Sequence, residues 1–152
     1  MPEDQNSVLS LMVNHHALLE MLFFIAKDDA ISKSDRAKET ISAFRWEYEK
    51  HMFAEENVIF NFLQWNYPDV YQLTLRLTNE HESIRHLLDK IESELPNVSE
   101  NDLTVLSSLL SGHRKDEETN LYPMVDKELP ENQRKRIIER INGVAPINNF
   151  VK

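Results

Sequence analysis

At 152 residues the chain is long enough for one domain with a sizeable hydrophobic core and too short for two comfortable ones. Its 41% hydrophobic and 28% charged residues argue for a globular chain over a disordered one, and two glycines, Gly112 and Gly143, are too few for a turn-rich all-β fold. A net charge of −9 disfavours nucleic acid or an anionic membrane as partners, and the lack of cysteine excludes disulfides, thiolate metal sites, iron–sulfur clusters and a cysteine nucleophile.

In chain order, the start Met1-Pro2-Glu3-Asp4-Gln5-Asn6-Ser7 lacks the basic opening of a secretory signal. The longest apolar run near it, Met21 to Ala26, is far shorter than the roughly 20 residues of a membrane span, so a soluble, cytoplasmic protein is expected. The 3.6-residue period then marks four long segments. The first runs from about Ser7 to Lys27, with Val8, Met12, Leu19, Leu22, Phe23 and Ala26 on one side. The second runs from about Ser34 to Trp65, with the stripe Ala37, Ile41, Phe44, Tyr48, His51, Glu55, Ile59, Phe62. The third starts near Pro68, with Val70, Leu73, Leu77, Ile84, Leu88, Ile91 and Leu95 as its stripe. The fourth opens at Ser99, where Ser99-x-x-Asp102 reads as a capping box, and its stripe is Leu106, Leu109, Leu110, His113, Glu117, Met124. Tyr122-Pro123 marks a kink, because a proline removes one backbone donor and clashes a turn back. A short fifth helix opens at Pro130 and stops at Gly143, and 144–152 reads as a tail. The links are short, so consecutive helices run antiparallel. The predicted fold is all-α: one domain over 1–152, an up-down-up-down four-helix bundle over about 7–127 with a short C-terminal helix over about 130–142.

The chain also repeats itself. Asn14-His15-His16-x-x-Leu19 matches Asn79-Glu80-His81-x-x-Ile84, and His51-x-x-x-Glu55-Glu56 matches His113-x-x-x-Glu117-Glu118. Two helical hairpins of one design result, each with a histidine on its first helix and His-x-x-x-Glu on its second. A His and a Glu four apart share a helix face, so both can reach one centre. Chance predicts fewer than one such pair, and three occur, the third being His16 and Glu20. The pairs His51–Glu55 and His113–Glu117 lie on apolar faces, where an unpartnered carboxylate costs several kcal/mol. Imidazoles and carboxylates converging from facing helices suit an iron or manganese centre. The plainer alternative is a metal-free bundle whose polar core is a hydrogen-bond network. His86, five residues past His81, points about 140° away and reads as surface. Glu56 and Glu118, about 100° off the ligand face, read as solvated or as supports for the ligands, and Glu20 and Arg85 as salt-bridge groups that balance each other across the bundle.

In their order on four helices, His16, His51-x-x-x-Glu55, His81 and His113-x-x-x-Glu117, trailed by Leu121-Tyr122-Pro123, resemble the hemerythrin-like or HHE cation-binding domain. The resemblance covers about Val8 to Val125. It implies a non-haem di-iron centre inside the bundle, with Glu55 and Glu117 as bridges and the histidines as terminal ligands. Oxygen-carrying hemerythrins place a second histidine one turn after the third-helix histidine and end with His-x-x-x-x-Asp. Here those features are Arg85 and the shorter His113-x-x-x-Glu117, which moves the chain toward the branch with four His and two Glu. Members of that branch are associated with iron sensing, repair of damaged iron centres and stress responses. On the first helix, His15 lies nearer the centre of its apolar stripe, whereas the repeat aligns His16 with His81 and His15 with Glu80; His16 is taken as the ligand.

The leading functional expectation is a di-iron protein that binds or reacts with a small diatomic, oxygen or nitric oxide, or that senses or handles iron. A ferritin-like oxidase is the second, but its Glu-x-x-His pattern is not repeated here on two core-facing helices. A metal-free module that binds a partner protein is the third.

Overall fold

A computed structural model describes residues 6–144; most of the expected tail lies outside the described residues. Described residues contain helices and no strand, as expected for an all-α bundle. Helix α1 spans Val8–Ile31 and ends four residues past the Lys27 that the period suggested. Helix α2 (Ala37–Ala54) passes through a π-helical turn, Glu55–Phe60, into α3 (Asn61–Asn66). Pro68–Val70 forms a 3₁₀ turn before α4 (Tyr71–Glu94). Helix α5 (Glu100–Asp116) passes through a second π-helical turn, Glu117–Leu121, into α6 (Tyr122–Glu128), and α7 (Glu131–Asn142) ends at Gly143.

The helix starts are tied by side chains. Ser7 Oγ accepts from Ser10 N at 3.0 Å, and Asp126, arriving from α6, accepts from Val8 N and Leu9 N at 2.7 and 3.1 Å. Ser99 Oγ accepts from Asp102 N at 3.3 Å, which is half of the expected capping box. The Asp102 carboxylate takes Lys90 Nζ instead, at 3.2 Å.

Both π turns correct the expectation of unbroken α-helical stripes. A π turn holds one extra residue, which rotates everything downstream by about 100°. The stripe predicted Phe62 and Met124 as core positions; the residues that are wholly buried are their neighbours, Leu63 and Val125. Where a kink was expected, at Tyr122-Pro123, the chain has this second π turn, which ends one residue earlier at Leu121.

The core is split in two. Leu19, Phe23, Phe44, Ile84, Leu106 and their neighbours form one apolar cluster, and Val8, Met12, Ile59, Leu63, Leu77 and Val125 belong to the other. On α1, Met12 lies in the second cluster and Leu19 in the first, with His16 between them; on α4, Leu77 and Ile84 flank His81 in the same way. A polar layer thus crosses the bundle. Among the described residues, helix α1 alone, with a mean hydropathy of 1.6 over an 18-residue window, has the length and composition of a membrane span, a property the short Met21–Ala26 run hid. Its outer face shows Val13, Leu18, Met21, Phe24, Ile25 and Ile31, while its inner face packs in both clusters.

Candidate metal centre

The polar layer consists of His16, His51, Glu55, His81, His113 and Glu117, each at most 5% exposed. The four Nε2 atoms turn inward: His16 and His51 meet at 3.2 Å, His81 and His113 at 3.0 Å. Each carboxylate reaches one histidine of either pair. Glu55 Oε1 lies 3.1 Å from His81 Nε2 and 3.5 Å from His51 Nε2. Glu117 Oε1 lies 3.2 Å from His16 Nε2, and its Oε2 lies 3.1 Å from His113 Nε2. Two four-residue groups result, His16–His51–Glu55–Glu117 and Glu55–His81–His113–Glu117, each with its ligand atoms within 4.8 Å of one another. The two carboxylates are common to both.

Outward-facing ring nitrogens are anchored by a second set of acids. Nδ1 of His16 donates to Glu118 at 2.6 Å, Nδ1 of His81 to Glu56 at 2.5 Å, and Nδ1 of His113 to Glu80 at 2.6 Å. A carboxylate only accepts, so these contacts put a proton on Nδ1 and leave each neutral ring's lone pair on Nε2, aimed into the layer. Nδ1 of His51 is buried with no hydrogen-bond partner among the described residues. The Tyr122 hydroxyl, fully buried, donates to Glu55 Oε2, and Phe60 stacks on His81 at 5.8 Å between ring centres.

The electrostatics are those of a site built around positive charge. Burial, reinforced by the charge of Glu55, pushes Glu117 well above the carboxylate range. Burial acts on Glu55 in the same direction, but His51 and the hydrogen bond from His81 hold it well below that range. His51 is driven down to about 3 by burial, against the attraction of Glu55. His81 also suffers from burial, yet its hydrogen bonds to Glu55 and Glu56 raise it to about 9. Burial lowers His113, and Tyr122 is raised well above a free phenol by burial and by Glu117, which keeps its proton in place.

Without a cation this layer is unsatisfied. Both Glu117 oxygens are buried with no hydrogen bond among the described residues. The paired Nε2 atoms of His16 and His51, and of His81 and His113, lie 3.2 and 3.0 Å apart. That separation is the one between neighbouring ligands around an octahedral ion with bonds of about 2.1 Å. The residues present therefore fit a pair of metal ions sharing Glu55 and Glu117.

All six expected ligand residues come together, and on α1 it is His16 that enters the layer. His15 is half-buried beside it, its ring 5.7 Å from that of His51. His86 is exposed. The expected balance of Glu20 against Arg85 is not what the fold makes: Glu20 pairs with Arg114 at 3.0 Å, while Arg85 binds Glu82 at 2.6 Å, Glu49 at 3.0 Å and Glu56 at 3.5 Å. Those two residues lie on different helix pairs, and each took the nearer partner. Glu80 and Tyr122 join the site without a signal in the sequence. Both act on a residue of another helix, so no spacing along their own helix could reveal them.

A cavity of about 280 Å³ opens between α1 and α5 and reaches His16 past Phe23, Phe44, Tyr48 and Leu110. No curated protein and no solved structure matches the chain. The family model described as the Hemerythrin HHE cation binding domain matches residues 7–125, from the residue that caps α1 to the last buried residue of α6. The chain belongs to the hemerythrin HHE cation-binding family.

Proposed function

We propose that this is a non-haem di-iron protein that binds or reacts with a small diatomic, oxygen or nitric oxide, or senses iron in a stress response. The observation that carries this reading is the sharing of Glu55 and Glu117 between two groups of inward-facing donors. His16 and His51 would hold one iron, His81 and His113 the other, and both carboxylates would bridge. Bound iron would supply electrons and an open coordination position. The chain's own residues do the rest. Glu118, Glu56 and Glu80 fix three rings so that their Nε2 lone pairs point inward. Tyr122 holds one oxygen of Glu55 by donating its proton, and the apolar clusters on either side keep water away from the layer. The cavity past Phe23 and Phe44 offers a small apolar ligand a route to His16.

Iron quantitation on protein expressed in iron-replete medium, with visible spectra of the reduced form before and after oxygen or nitric oxide, tests this reading. About two irons per chain and a ligand-dependent absorption change are expected. Background levels of every transition metal would overturn it.

A further inference from the structure

The internal repeat pairs His16 with His81, His51 with His113, Glu56 with Glu118, and His15 with Glu80. The anchoring hydrogen bonds obey the same pairing. His81 to Glu56 and His16 to Glu118 are two copies of one contact, each crossing to the other hairpin. His113 to Glu80 should likewise have a copy, running from His51 to the residue at the Glu80 position of the first hairpin. That residue is His15. Instead of a short hydrogen bond, the two rings stand edge to face with centres 5.7 Å apart, and His51 Nδ1 is buried with no hydrogen-bond partner among the described residues. A cavity of about 130 Å³ is lined by both His15 and His51, together with Glu47 and Lys50.

We propose that His15, standing where the repeat places a carboxylate, makes the two metal positions unequal, so that the His16–His51 position holds its ion more weakly than the His81–His113 position. This inference rests on the two-metal reading above. A carboxylate that accepts the Nδ1 proton pins the imidazole and makes its other nitrogen a stronger donor. A neutral imidazole across a gap does neither. Removal of such a partner typically weakens metal binding about 10- to 100-fold, and that sets the expected gap between the two positions. The weaker, less electron-rich position is also the one served by the cavity that reaches His16.

The test is anaerobic titration of the metal-free protein with ferrous iron against a competing chelator, with Mössbauer spectra of the fully loaded form. Repulsion between two bound ions separates the binding steps in any variant, so the comparison is among variants. His15→Glu should strengthen the weaker step by about tenfold or more and draw the two ferrous signals together. Glu80→His, which puts an imidazole at both positions, should weaken the stronger step by a similar factor and also bring the steps together, which keeps the test decisive if His15→Glu misfolds. Steps and signals that stay as far apart in both variants as in the parent would overturn the role of His15 while leaving the two-metal reading intact. A parent that takes up no second ion would overturn the two-metal reading itself.

Discussion

The two hairpins carry the same pattern of histidine and glutamate on different surroundings. The second has Pro123 at the start of α6, while the first has Asn61 at the corresponding place, where a backbone donor is present. Both nonetheless contain a π turn, and in both it begins at the shared carboxylate, Glu55 or Glu117. Proline is therefore not the cause common to the two. What the halves share is the need to aim a glutamate into the polar layer and still return an apolar face to the core below it. The extra residue does that, by turning Leu63 and Val125 inward. The halves differ in how they hold the rings: two anchoring acids, Glu56 and Glu80, serve the histidines of the second hairpin, whereas Glu118 serves His16 and no acid among the described residues accepts from His51 Nδ1.

The largest effect expected is on the shared residues. Glu55→Ala or Glu117→Ala should lose most of the metal, because each carboxylate would hold both ions. His16→Ala should keep a partly occupied site in the second hairpin. Full metal content in Glu117→Ala, read by elemental analysis, would break the symmetry argued for the two carboxylates.

The unlike histidines should also give the metal-free protein a stability optimum near neutrality. His51, lowered to about 3 in the fold against an ordinary 6.5, makes the unfolded chain the better proton binder between those values, so stability falls as pH drops below 6.5. His81, raised to about 9, makes the folded chain the better proton binder above 6.5, so its contribution is lost as pH rises through 9. Each group gives a slope of about 1.4 kcal/mol per pH unit within its window. Metal must displace the proton from His81 Nε2, so loading should abolish the alkaline arm and keep the acid one. Denaturation midpoints at pH 5, 6.5 and 8, with and without metal, would show whether the two histidines differ in this way.

Smaller effects concern how each hairpin is tied. Asp126→Ala removes the acceptor for two amides at the start of α1 and should cost about 1–2 kcal/mol in thermal or chemical unfolding; Ser99→Ala, losing one longer hydrogen bond, should cost about 1 kcal/mol or less. Equal costs would remove the contrast between the two starts. Arg85→Ala frees Glu56 on one side and should weaken metal retention only slightly, since the His81 to Glu56 bond remains. His86→Ala, altering an exposed residue, should match the parent in both metal content and stability.

Most of the helical architecture is legible without coordinates, because burying one face of each helix writes a period into the chain, and short links force neighbours to run antiparallel. The residues of the polar layer were legible for a related reason: His51, Glu55, His113 and Glu117 interrupt apolar stripes, and a polar group on a buried face needs a partner. The repeat then pointed to His16 over His15. Three things belonged to the tertiary structure alone. The π turns are invisible to a 3.6-residue period, which continued through them and so named Phe62 and Met124 where Leu63 and Val125 are buried. Glu80, Tyr122 and the partners of Glu20 and Arg85 are set by which helices touch, and periodicity along one helix carries no information about its neighbours. The unequal anchoring of His51 and His113 is of the same kind: His15 and Glu80 occupy one position in the repeat, but only the packing of α1 on α2 and of α4 on α5 brings them to the rings they differ in supporting.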